Sequence, residues 1–179
     1  MIWFTLLIAA VALERLAELV VSKRNAAWSF ERGGVETGQR HYAVMVVLHS
    51  GFLVGALLEV WLRRPEFVPA LGWTMLALVV ASQALRWWCI ATLGHQWNTR
   101  VIVVPGLPRV TGGPYRFMSH PNYVAVVVEG FALPLVHSAW ITAIVFTVFN
   151  AVLLSVRLRV ENQALAKLPA PRAGADVSS

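Results

Sequence analysis

The feature that most limits how this chain can fold is its succession of long apolar segments. Ile2 to Val21, Tyr42 to Leu62 and Phe67 to about Ala91 are each long enough, at about 1.5 Å of rise per residue, to cross a hydrocarbon core of roughly 30 Å as a helix. At that depth the backbone finds no water to bond to, so such segments close their own hydrogen bonds as helices. Two shorter segments, Asn122 to Val136 and Trp140 to Val156, are predicted to form a helical hairpin turning at His137-Ser138. They cross with local thinning or help from a neighbouring loop, and Pro134 bends the first. Hydrophobic residues make up 58% of the chain and charged ones 13%, a balance of the membrane class and not of a soluble domain. The expected fold is an all-α integral membrane protein of about five transmembrane helices. It is read as one domain over residues 1–168, with a disordered tail at 169–179.

A formal charge of +6 would point to nucleic acid in a soluble protein. Here the basic residues sit in short loops beside apolar runs, where they set topology, so no nucleic-acid partner is expected. Placing the loops after the first, third and fifth helices inside gathers Lys23, Arg24, Arg100, Arg109, Arg116 and Arg157 on the cytoplasmic side, against Arg63 and Arg64 outside. The N-terminus is then outside. Glu14, Arg15, Glu18 and Lys23-Arg24 stand where a signal peptide would have a small-residue cleavage site, so the first helix is read as retained. Arg15 can pair with Glu18 at i,i+3, which reads as a paired, snorkelling membrane interface or, alternatively, as charges that bind a substrate head group. Ser22 to Arg40 reads as a loop, or a surface helix broken at Gly33-Gly34. Arg86 with Trp87-Trp88 fits an interfacial anchor, and His49 fits a hydrogen-bonded packing residue. The single Cys89 excludes an intramolecular disulfide.

Polar chemistry is concentrated between Leu93 and Tyr123, LGHQWNTRVIVVPGLPRVTGGPYRFMSHPNY, the one long Gly/Pro-punctuated stretch between apolar blocks. It contains no phosphate-binding glycine loop, no dinucleotide fingerprint and no Cys/His cluster at metal spacing, so no metal is expected. Acidic residues are scarce enough that Glu129 and Glu161 need explaining. Glu129 lies well inside an apolar helix, where an unpaired carboxylate costs several kcal/mol; it must be protonated, paired or facing a polar cavity. Asn122 is two helical turns before it on the same face, so both can look into one substrate pocket. Glu161 follows Arg157 by four residues, which permits an i,i+4 pair. At His120-Pro121 the proline suits a first helical position, and the free amides there favour a carboxylate or phosphate.

These residues carry a resemblance. GPYRFMSHPNY, then two short apolar helices, then the R-x-x-x-E-N-x-x-L of Arg157 to Leu165, resembles the isoprenylcysteine carboxyl methyltransferase family, with its pattern of approximately G-x-Y-x-x-x-R-H-P-x-Y and R-x-x-x-E-E-x-x-L. LGHQW at Leu93 to Trp97 is similar to the family's upstream segment. The resemblance covers residues 93–165 and implies a methyltransferase using S-adenosylmethionine, with the cofactor held on the cytoplasmic side by the loop and the C-terminal helix. It implies that His95, Tyr115, His120, Pro121 and Tyr123 form the cofactor pocket, that Arg157 and Glu161 close it, and that a lipid-like acceptor enters from the bilayer. Glu161 can hold the cofactor's ammonium, Arg157 can orient that carboxylate or meet the acceptor, and tyrosine faces suit a sulfonium cation. Ser119 stands where the family has Arg, and Asn162 where it has a second Glu. Both departures point from a carboxylate acceptor toward a hydroxyl or enol, such as an alkylated pyrone or phenol. For such an acceptor Glu129, as a buried carboxyl of raised pKa, is the expected catalytic base beside Arg157.

Other classes share parts of this pattern: a nicotinamide-dependent membrane reductase of sterol-reductase type, a phospholipid N-methyltransferase, and a non-enzymatic membrane protein for which the polar stretch is a connector. Binding of reduced nicotinamide cofactor without S-adenosylmethionine would mark the first. The sequence leaves the oligomeric state open.

Overall fold

The computed structural model describes residues 1–166, so the expected tail at 169–179 lies outside the described residues. Five helices, α1 (Ile2–Phe30), α2 (Gln39–Arg63), α3 (Pro69–Leu93), α4 (Pro121–Leu135) and α5 (Trp140–Ala166), make an all-α membrane protein. Three stretches, Tyr42–Arg63, Pro69–Gln96 and Trp140–Ala164, are long and apolar enough to cross a membrane. α1 has the length, at 29 residues, but Glu14, Arg15 and Glu18 interrupt its apolar run. α4 has only 15 residues. Leu6, Leu13 and Leu16 on α1, Val47 and Val54 on α2, Val80 on α3, and Ile144 and Val152 on α5 are exposed, as lipid-facing side chains must be.

The structure differs from the sequence expectation in three places, and all three build the site. First, α1 does not stop at Val21. It continues to Phe30 because its polar residues Ser22, Asn25 and Ser29 recur at helical spacing on one buried face. The Asn25 side-chain amide donates to the Trp97 and Gly94 carbonyls at 2.7 and 3.1 Å. The Ser22 hydroxyl bonds the Asn98 side chain and receives the Thr99 amide. A face that reads as solvated loop is thus a dock for the central polar stretch. The break falls immediately after the helix, at Gly33 (φ 77°) and Gly34, where a Cβ would come within 2.7 Å of the Ser29 carbonyl oxygen.

Second, α5 runs through Arg157 without interruption, 27 residues in all, so the apolar hairpin arm and the polar C-terminal helix are one rod. Third, two short strands, β1 (Val35–Thr37) and β2 (Val101–Val103), pair antiparallel with Val35 opposite Val103 and Thr37 opposite Val101. They clip the connection after α1 to the stretch after α3, and Arg100 reinforces the clip from 3.5 Å to Glu36.

Successive helices alternate in direction, which sorts the two ends of the molecule. One end holds the apolar core: Phe4 and Ile8 of α1, Phe52 and Val60 of α2, Leu133 of α4 and Phe146 of α5. The His137-Ser138 turn lies at this end, and Glu59 accepts the amides of Ile141 and Thr142 there, satisfying orphan donors at the start of α5. Along the α4–α5 contact, Gly130 lets Phe146 approach so closely that a Cβ would lie 2.2 Å from its ring. The other end gathers the close of α1, the start of α2, the close of α3, the start of α4 and the close of α5 around the central stretch.

Candidate active site

Two cavities meet at this second end. The polar one is lined by the central stretch (Gln96 to Asn98, Arg100 to Val104, Tyr115, Ser119, His120) together with Asn122, Tyr123, Arg157 and Glu161. The apolar one runs between the helices, among Met45, His49, Phe52, Val126, Glu129, Phe146, Leu153 and Arg157, and is also bounded by Arg15, Glu18 and Arg86. Each holds about 170 Å³, room for several water molecules and so more than a packing defect. Trp97, Asn122, Tyr123 and Arg157 line both, forming a shared wall.

A hydrogen-bonded chain orders that wall. Arg157 Nε donates to the Tyr123 hydroxyl at 2.9 Å, and the hydroxyl donates to the Glu161 carboxylate. Arg157 Nη2 donates to the Thr99 carbonyl at 2.6 Å, fixing the guanidinium against the loop. His120 Nδ1 is 3.6 Å from Glu161, and its ring stacks on Tyr123 at 5.5 Å between centroids. Arg157 and Glu161, predicted as an i,i+4 pair, therefore meet through a tyrosine hydroxyl. His120 caps α4 and Pro121 opens it, as the proline's missing N–H favours. Burial, with Cys89 beside it, pushes the Tyr115 phenol above its ordinary range, so it remains a neutral donor.

Most of the sequence-predicted residues come together here. Tyr115, His120, Tyr123 and Glu161 line the polar cavity, while Asn122, as its position two turns from Glu129 implies, lines the apolar cavity with it. Pro121 is fully buried and shapes the helix start. His95 is exposed and stacks on Trp28 at 5.2 Å, outside the residues lining either cavity. Trp97 Nε1, Asn98 Nδ2 and Asn122 Oδ1, all on the polar cavity, are buried without a partner among the described residues. Unpaired buried polar atoms cost about 1–3 kcal/mol each, so these three are groups that a polar ligand would satisfy.

Glu129 is paired, one of the states that its place in an apolar helix requires. It is not a solitary carboxyl: Arg86 Nη2 donates to it at 2.5 Å and Arg15 Nη2 lies at 3.4 Å. Arg15 also donates to Glu18 at 2.8 Å, and Arg86 Nε is 3.6 Å from the same carboxylate. Two buried guanidiniums therefore share the Glu129 carboxylate. Arg86 is correspondingly no interfacial anchor; it is 6% exposed and faces the bundle interior. Arg15 and Glu18 line the cavity and are no mere interfacial pair. The signal for this cluster was an excess of charges at helical spacing within apolar runs, Glu14, Arg15 and Glu18 on α1, Arg86 on α3 and Glu129 on α4. Only their mutual distance was illegible.

Comparison with known proteins agrees with the geometry. Residues 75–167 match the Isoprenylcysteine carboxyl methyltransferase (ICMT) family, a span covering most of α3, the central stretch, α4 and α5. The chain is 40% identical over 163 residues to "Uncharacterized protein YpbQ" of Bacillus subtilis (strain 168), covering 90% of this chain and 96% of that one. It is 23% identical over 171 residues to an "Uncharacterized protein" of Haemophilus influenzae, covering 94% and 98% respectively. No solved structure matches. With more than half of its length matched, and with every helix that frames the shared wall except α1 and α2 inside the matched span, the chain belongs to the isoprenylcysteine carboxyl methyltransferase family.

Proposed function

We propose that the protein transfers a methyl group from S-adenosylmethionine in the polar cavity to an oxygen of a lipid-like acceptor in the apolar cavity. The observation that carries this reading is the shared wall of Trp97, Asn122, Tyr123 and Arg157: two cavities of opposite character meet where a transferred group could cross. Methyl transfer of this kind asks the protein mainly to align donor and acceptor and to exclude water. The cofactor, when bound, supplies an electrophilic methyl group.

The residues present suit that cofactor. The Glu161 carboxylate, already anchored by Tyr123, is placed to hold an ammonium group, and the faces of Tyr123 and His120 offer π-density to a sulfonium. Trp97 Nε1 and Asn98 Nδ2 are free donors for its carboxylate or ribose oxygens. Arg157 stands between the cavities and orients both Tyr123 and the acceptor. His95, outside the cavity lining, is left as a packing partner of Trp28.

On the acceptor side, the charges around the head of the apolar cavity are balanced internally: Arg15 and Arg86 against Glu18 and Glu129. Arg157 is the one guanidinium on that cavity with no carboxylate in ion-pair range among the described residues, and it already donates to Tyr123 and Thr99, which favours a neutral head group, a hydroxyl or enol on a long chain. Asn122 and Glu129 with its arginines would then contact that head group. The gathering of Arg100, Arg109, Arg116 and Arg157 at the site end supports a cytoplasmic active site.

The test is calorimetric titration of S-adenosylmethionine and its demethylated product into the detergent-purified chain, wild type beside Glu161→Ala. Binding in the micromolar range that the substitution weakens at least about tenfold is expected, since one charged hydrogen bond is worth about 1.5–3 kcal/mol. Absence of binding to folded wild type overturns the proposal.

A further inference from the structure

If Glu129 is committed to Arg86 and Arg15, a hydroxyl acceptor still needs somewhere to send its proton. The titratable groups facing the apolar cavity are Arg15 and Glu18 on α1, Tyr42 and His49 on α2, Arg86 on α3, Tyr123 and Glu129 on α4, and Arg157 on α5. Glu18 and Glu129 are held by the two arginines. The Tyr123 hydroxyl is spent between Arg157 and Glu161. The Tyr42 ring lies under the Arg100 guanidinium. His49 is left.

Its geometry is that of a prepared acceptor. Nδ1 lies 2.9 Å from the Met45 carbonyl oxygen. A carbonyl can only accept, so Nδ1 carries the proton and Nε2 carries a lone pair. Nε2 has no hydrogen-bond partner among the described residues. The ring stands edge-to-face on Phe146 at 5.2 Å, which fixes its plane. Met45, four residues earlier, touches Arg157 at the shared wall, so His49 lies about 6 Å of helix rise farther into the cavity. That distance suits a head group lying between Arg157 and the imidazole.

We propose that His49 Nε2 accepts the proton of the acceptor's hydroxyl or enol as its oxygen is methylated, a role resting on the methyltransferase reading above. The O–H bond breaks and an O–CH₃ bond forms. The methyl–sulfur bond breaks and leaves its electron pair on sulfur, so the positive charge that arrived on sulfur ends on the imidazolium, which returns its proton to water when product leaves. A tautomer fixed by the backbone and an apolar surround keep the base oriented and out of competition from solvent.

The test uses the full chain with two probes, 3-pentadecylphenol and its ring-nitrated analogue, whose hydroxyl is already ionised at the assay pH. With His49→Phe, which keeps a planar ring against Phe146, methyl transfer to the plain phenol should fall at least about 100-fold, the usual contribution of a positioned base. The loss on the nitrophenol should be at least about tenfold smaller, because that probe needs no base. A second readout needs no turnover. In histidine-¹⁵N-labelled protein without cofactor, the Nε2 resonance assigned to His49 by its disappearance in the variant should show an unprotonated nitrogen that shifts when the plain phenol is added. Equal losses on both phenols, or a His49 resonance unmoved at saturating phenol, overturns the base role; if wild type methylates neither probe, the resonance decides. Failure of wild type to bind S-adenosylmethionine in calorimetry defeats the parent reading instead, so the two failures are separable.

Discussion

Replacing Glu129 with Gln tests whether the buried charges form one balanced unit. The unit has two cations, Arg15 and Arg86, and two anions, Glu18 and Glu129; the side chains of Glu18, Arg86 and Glu129 are 5–7% exposed and that of Arg15 19%. Glu14 completes it at the rim, where Gln83 and the Trp87 indole N–H donate to it. Glu129→Gln leaves two guanidiniums sharing one buried carboxylate, and breaking a buried pair in this way costs about 3–5 kcal/mol. Arg86→Met alone should cost a similar amount, since it leaves Glu18 and Glu129 facing Arg15. The double variant Glu129→Gln with Arg86→Met restores a one-to-one match of Arg15 with Glu18. It should therefore lose less than the sum of the single losses by at least about 2 kcal/mol, within the range of coupling for residues in one ionic network. Reversible denaturant unfolding in a fixed detergent, followed by tryptophan fluorescence, measures all four corners of the cycle. Single losses under about 1 kcal/mol, or strictly additive losses, would refute the network. The same protein should still bind S-adenosylmethionine in Glu129→Gln, because none of the four charges lines the polar cavity.

Three further outcomes follow from the packing. Asn25→Leu strands the Trp97 and Gly94 carbonyls, about 1–3 kcal/mol for the buried group, and should raise amide exchange across residues 94–104 before it affects the helices. Gly130→Ala drives a methyl into the Phe146 ring and should destabilise by about 1–3 kcal/mol, with Phe146→Leu recovering part of the loss. Burial against Trp3, Phe4 and Phe67 lowers the pKa of His137 from its ordinary 6.5, so the unfolded chain binds its proton first as pH falls. Its contribution is then fully present above about pH 6.5 and lost below, and His137→Phe should flatten the stability–pH curve in that window.

The helices were legible because apolar length and caps are local signals. Pro121 opens α4 and the turn at His137-Ser138 separates α4 from α5 as their sequence reads. The continuity of α1 and α5 was not: Ser22 to Arg40 reads equally as a loop or a broken surface helix, and the polar helix from Arg157 reads as separate from the apolar arm before it. Asn25 and Ser22 are polar for the sake of the Trp97 carbonyl and the Thr99 amide, more than seventy positions away. The three-residue strands were also hidden: VET and VIV are too short for an alternating pattern to register, and they exist as a clip between two loops. In the site, Tyr123, His120 and Glu161 were found through motif order, whereas Arg15, Arg86 and His49 belong to no motif and are tied to the cavity only by tertiary contact.

The two departures from the family's pattern now carry unequal weight. Asn162, in place of a second glutamate, is exposed on α5 and lies outside the lining of both cavities, so its change of charge falls on solvent. Ser119, in place of an arginine, lines the polar cavity beside His120. An arginine there would add a long cation next to Glu161 and compete with the cofactor's ammonium for that carboxylate, unless it reached across to a negatively charged acceptor. With serine at this position, Glu161 faces Tyr123 and His120, and among the described residues no second cation joins Arg157 at the shared wall. A carboxylate acceptor would then have one guanidinium to meet, and that one already donates to Tyr123 and Thr99. A hydroxyl acceptor needs no such counter-charge, only a partner for its proton. Under the proposed methyl transfer, Ser119 and the His49 imidazole on the apolar cavity both favour a hydroxyl acceptor.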